Sequence, residues 1–119
     1  MSPDITKLVI IPRFSSFVGS RAFTTQPMPV RDYATANIYF WRTQAFGTSP
    51  TVAIAVQQSA DVQLWWDVVT SSGTPSDAEV IPPLAATFTM DWMRFKLTLG
   101  GANPAISCWA VGDFRARAK

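Results

Sequence analysis

The chain has 119 residues, 48% hydrophobic and only 15% charged: enough apolar matter for one core, and too much for a disordered chain. Ten Lys and Arg against eight Asp and Glu leave a net charge of +2, too small for a general nucleic-acid binder. With no His and one Cys, His-based triads, His-ligated metals, cysteine-cluster zinc and an intrachain disulfide are excluded.

The first apolar run, Leu8-Val9-Ile10-Ile11, stops at Pro12 and Arg13. It is too short for a signal-peptide core and far too short to span a bilayer, so a chain made and folded in a cytoplasm is expected, with no membrane partner. Residues 7–11 and 21–25 read as short strands. Segment 26–32 carries Pro27 and Pro29 and reads either as an extended arm or as an ordinary sandwich loop. Over 36–46, Ile38 and Phe40 alternate with Tyr39 and Trp41, which sets the two pairs on opposite faces of a strand. Breakers Gly47 to Pro50 follow, and then Val52, Ile54 and Val56 alternate with Thr51, Ala53, Ala55 and Gln57.

Ser59-Ala60-Asp61 supplies turn chemistry. A strand over 63–70 is expected to place Leu64, Trp66 and Val68 on one face, with the adjacent Trp65 pointing to the other. A breaker cluster covers 71–77, and 84–90 sets Leu84, Ala86, Phe88 and Met90 on one side. The clearest alternation runs from Trp92 to Leu99, with Met93, Phe95, Leu97 and Leu99 opposite Trp92, Arg94, Lys96 and Thr98. Gly100-Gly101 and Asn103-Pro104 then predict a turn, with 105–111 returning as the second strand of a hairpin.

About eight short strands in one chain predict an all-β fold: a single antiparallel β-sandwich with jelly-roll connectivity. Residues 1–119 form one domain, with a possible arm at 26–32 and a short basic tail at 115–119. The expected core includes Ile54, Val56, Leu64, Phe95, Leu97 and Leu99.

Chemistry is sparse. Asp61 and Asp67 are too isolated to act as an acid/base couple, and no Ser or Thr has an evident activating base. The carboxylates are scattered rather than spaced for calcium, there is no phosphate-binding glycine loop, and Cys108 reads as a small core residue. The expectation is a protein that is not an enzyme, with no cofactor and no metal.

Surfaces say more. Five Trp, eight Phe and two Tyr include rings that face away from their own core unless loops or the other sheet cover them. On the first reading Tyr39, Trp41 and Trp65 are the candidates for a partner interface; on the second they are buried. At the chain end, Arg115 and Arg117 are candidates for ion pairs with an acidic neighbour, or else belong to a frayed terminus.

Two stretches carry a resemblance. Trp92 to Gly101 followed by Asn103-Pro104-Ala105-Ile106 and Trp109-Ala110-Val111-Gly112 resembles a C-terminal signature of small β-sandwich proteins of tailed-phage virions. Gln57 to Val68 resembles their Ser-x-Asp, turn, Trp, Val hairpin, except that the usual glycine after Asp61 is missing. The resemblance covers about half the chain and implies a non-enzymatic virion component, a head decoration (cement) protein. That protein would bind a major capsid protein or another virion protein, form a homo-oligomer, and end in the virion after assembly in the host cytoplasm. A carbohydrate-binding module stacking exposed aromatics on a glycan, and a tail or baseplate subunit, are the alternatives.

Overall fold

In the computed structural model, which describes residues 5–43, 46–73 and 79–117, the regular elements are all strands. They are β1 (Ile5–Val18), β2 (Ala22–Thr24), β3 (Met28–Pro29), β4 (Tyr33–Arg42), β5 (Phe46–Ser59), β6 (Trp66–Gly73), β7 (Glu79–Thr87) and β8 (Trp92–Ala116). Every ladder is antiparallel, and β8 is the spine. Residues 92–100 of β8 lie between β5 on one side and β2 and β3 on the other. Residues 105–116 lie between β4 and β1. Outside these, β7 pairs with β4 and β6 with β5. The result is two four-ribbon sheets, β1–β8–β4–β7 and β2/β3–β8–β5–β6, sharing one bent strand. This is the jelly roll.

A straight 25-residue strand would run roughly 80 Å, yet the longest dimension of the molecule is 50 Å. The strand is bent instead, and its two ends reach one short segment. The Val30 amide donates to the Asp91 carbonyl (2.7 Å), and the Arg117 amide donates to the Asp32 carbonyl (2.8 Å). The bend lies at Gly101 (φ +103°) and Asn103 (φ +52°). Residues 92–99 and 105–111 therefore do not form the expected hairpin, because each pairs with other strands.

The same glycines and Asn-Pro that suit a hairpin turn also suit a corner, where a strand passes from one sheet to the next. Neighbouring strands select the corner by bending at the same level. Gly47 at the start of β5 has φ +119°, and a Cβ there would sit 2.7 Å from the Asn103 carbonyl oxygen. A Cβ on Gly101 would meet the Ser49 carbonyl oxygen at 2.6 Å. The Gly19 amide closes the line on the other side by donating to the Pro104 carbonyl (2.9 Å).

The core lies between the sheets. From the spine, Met93, Phe95, Leu97 and Leu99 point into it from one sheet, and Ile106, Cys108, Ala110 and Phe114 from the other. Phe40 stacks on Phe95 (5.7 Å) and Phe88 on Phe114 (6.1 Å). Of the residues expected inside, Ile54, Val56, Phe95, Leu97 and Leu99 are buried, but Leu64 is 65% exposed. Here side chains claim the backbone before a strand can form. Ser59 Oγ accepts from the Asp61 and Val62 amides, and Asp61 Oδ1 accepts from the Gln63 and Leu64 amides. This nest of local bonds holds 60–64 as a loop, so the strand begins only at Trp66. Val62 adopts φ +64°, occupying the position where the resembled hairpin has glycine.

Segment 26–32 packs on the body of the fold: β3 pairs with β8, and Val30 is fully buried. Of the breaker cluster at 71–77, residues 74–77 lie outside the described residues, as do Ala118 and Lys119 of the basic tail.

Candidate functional site

Alternation that buries one side of each sheet exposes the other, and the two outer faces differ in chemistry. On the β1–β8–β4 face, Tyr39 and Trp41 point outward as their alternation with Ile38 and Phe40 requires. Register then adds a third ring, because Trp41 lies directly opposite Trp109. Tyr39 stacks on Trp41 (6.2 Å, 16°), Trp41 on Trp109 (5.8 Å, 24°), and the Arg13 guanidinium covers Trp109 at 5.4 Å. Val9, Ile11 and Val111 join Arg13 and the two tryptophans around an apolar groove of about 500 Å³. Val9 is 65% exposed. Beside it Lys7 Nζ pairs with Asp113 Oδ1 at 3.0 Å. Strand β1 pairs with β8 along one side, and Lys7 and Pro12 are residues that discourage another strand from adding to such an edge.

On the β6–β5–β8–β2 face the cross-strand partners are small or polar. Ala53 lies opposite Thr98, Ala55 opposite Lys96, and Gln57 opposite Arg94. Arg94 Nε donates to Gln57 Oε1 (2.7 Å), and Gln57 Nε2 donates to Asp67 Oδ1 (2.8 Å). The Arg94 guanidinium lies over the Trp65 ring at 4.4 Å. Burial pushes it below its usual range, yet a guanidinium stays charged at neutral pH. Next to this chain of contacts a groove of about 440 Å³ is lined by Ala53, Ala55, Asp67, Thr70, Lys96 and Thr98, among others.

The interface candidates are thus divided. Tyr39 and Trp41 come together, whereas Trp65 belongs to the opposite face. Arg115 is exposed on β8, between Ile5 and Thr35. Arg117 is tied down: its Nε donates to the Arg31 carbonyl (3.2 Å) and its Nη2 to the Tyr33 carbonyl (3.1 Å). Trp109 and Arg13 were missed by sequence reasoning. A signal for Trp109 exists, since Ile106, Cys108 and Ala110 alternate around it; no local pattern announces Arg13.

Asp61 and Asp67 do not work as a pair. Backbone amides of Leu64 and Gln63 hold the Asp61 carboxyl below the usual carboxylate range, while Asp67 accepts from Gln57. Burial pushes the Cys108 thiol up to about 12, which keeps it protonated and a poor nucleophile. Among the described residues no three Asp, Glu or Cys side chains gather into a metal-holding cluster.

No protein-family model matches the sequence, and neither does any curated protein. Among solved structures, the PBSX exported protein XepA superposes with a TM-score of 0.68 at 6% identity, over 96% of this chain and 38% of that one. The VP2 subviral particle of infectious bursal disease virus gives 0.67 at 9% identity, over 97% and 33%. A CBM4 protein gives 0.54 at 16% identity, over 72% and 56%. At these identities the likeness is one of fold. The chain spans less than two-fifths of the first two neighbours.

Proposed function

We propose that the protein is a non-enzymatic structural component of a virion, a decoration protein that binds the shell of a phage capsid through its β1–β8–β4 face. The observation that carries this reading is the ring stack Tyr39–Trp41–Trp109 with Arg13 on its end. The rings cover one another's faces, so what they offer outward is a stiff ridge of indole and phenol edges beside the exposed Val9. Such a ridge loses little conformational entropy when it docks, and Trp, Tyr and Arg supply most anchors in protein interfaces. Arg13 near the ridge and Arg115 further along β8 favour a partner rimmed with carboxylates, and these charges act mainly on association rate and salt dependence.

The biological direction comes from the phage-like stretches of sequence and from a fold like those of a viral capsid protein and an exported phage protein. Many copies bound across subunit junctions would stabilise the shell by mass action. The test is copurification with assembled particles, with copy number measured. Saturable binding lost with Trp41→Ala or Trp109→Ala, both variants remaining folded, is expected. Variants that unfold, or that bind particles as the parent does, remove this face from the interface.

A further inference from the structure

We propose that the opposite face, over β6, β5, β8 and β2, binds a neutral oligosaccharide in the groove between Asp67 and Lys96. This inference uses none of the residues of the proposed shell interface. The floor is made of small side chains, Ala53 and Ala55, so a ligand can approach the sheet itself. The lining offers every kind of hydrogen-bonding group that a polyol needs. The Asp67 carboxylate accepts, the Lys96 ammonium donates, and the hydroxyls of Thr70 and Thr98 do either. Among the described residues neither Asp67 nor Lys96 is held in an ion pair. The Lys96 ammonium and the second oxygen of Asp67, whose Oδ1 accepts from Gln57, therefore remain available to ligand hydroxyls.

The ligand class follows from the mixture. An apolar molecule would strip water from a carboxylate and an ammonium and return nothing. An anion would meet Asp67, and a cation Lys96. A neutral sugar avoids both conflicts, since each of its hydroxyls donates and accepts. The groove, about 440 Å³, falls within the range of small-ligand sites.

An aromatic ring is tied to the groove through a chain of side-chain contacts. Trp65 is half-buried under Arg94, Arg94 is bonded to Gln57, and Gln57 is bonded to the groove residue Asp67. The Arg94 guanidinium covers the indole, and the chain of contacts holds the Asp67 carboxylate in place before any ligand arrives, which lowers the ordering cost of binding. The polar chain also couples the ring to the carboxylate: moving Asp67 loosens Gln57, then Arg94, then Trp65.

Saturation-transfer NMR and titration calorimetry on the full chain would use maltohexaose, cellohexaose, xylohexaose and chitohexaose as probes, each up to about 10 mM, the weak end of measurable affinity. At least one should bind. Ala53→Phe, which fills the groove, and Trp65→Ala should each weaken it at least ~10-fold, a difference of about 1.4 kcal/mol. Trp41→Ala should leave it unchanged. If Ala53→Phe does not fold, Thr98→Tyr blocks the same groove from an exposed position. No binding of any probe overturns the proposal, as does binding that survives the blocked groove or that is lost with Trp41→Ala. Particle binding measured on the same variants separates the two faces: a blocked groove that leaves particle binding intact, together with failure of every sugar, sinks this inference alone.

Discussion

The two outer faces are built by the same strand, β8, and by the same rule of alternation, yet one carries an aromatic ridge along an apolar groove and the other a polar groove. The difference arises from what register sets opposite each outward residue. Trp109 meets Trp41, and two rings on neighbouring strands stack. Lys96 meets Ala55, and Thr98 meets Ala53, so long or polar side chains lean over small ones and leave a trough. Large beside large makes a ridge; large beside small makes a groove.

The largest expected effect comes from removing what the faces share. Phe95 joins the two sheets through its stack on Phe40, so Phe95→Ala should lower stability by about 3–5 kcal/mol. Denaturant titration should show both faces lost in a single transition; two separated transitions would mean that the sheets are independent. Next is the fold line. Gly101→Ala meets a positive φ and the Ser49 carbonyl oxygen together, and a loss of more than ~2 kcal/mol is expected. A neutral result would place the bend elsewhere.

The comparison is sharpened by the ring pair. Trp41→Ala should weaken particle binding by about 2 kcal/mol, or roughly 30-fold, whereas Trp65→Ala should not. Equal losses from both would erase the distinction between the faces. Smaller again is Val62→Gly, which relieves a β-branched residue at φ +64° and should raise stability by about 1 kcal/mol in thermal or chemical denaturation.

The mildest effect is acid. The Asp61 carboxyl titrates below its ordinary value of 3.8 because the Leu64 and Gln63 amides bind its ionised form. Its support for the loop at 60–64 is therefore complete above that ordinary value and is lost as pH falls through the lower, folded value. Amide exchange at Gln63 and Leu64, corrected for intrinsic rates, should stay slow at pH 5 and rise only below about pH 4. Asp61→Asn should show faster exchange at pH 5 and no acid-dependent rise. A parent loop that already opens at pH 5 would contradict this assignment.

Much of this architecture was legible in the sequence because a strand's period is two and burial is one-sided. Met93, Phe95, Leu97 and Leu99 announce an inward face, and Ile38 and Phe40 force Tyr39 and Trp41 out. Leu64 departs from the pattern: its alternation with Trp66 is real, but local bonds from Ser59 and Asp61 to four backbone amides outcompete a ladder. Gly100-Gly101 and Asn103-Pro104 mark a change of direction without saying which. A hairpin and a corner ask for the same residues.

By itself, then, the sequence determined the all-β class, the inward faces of most strands and which rings alternate away from those faces, since these depend only on the order of neighbours along the chain. Only the tertiary structure decided that β8 bends instead of turning back, that Trp41 finds Trp109 and Arg13, and that Trp65 stands on the other side with Arg94, Gln57 and Asp67. Those facts depend on register between distant strands. Register is set collectively, by glycines at Gly19, Gly47 and Gly101 that must bend at one level and by a core that must close between the two halves, and no local stretch of sequence contains it.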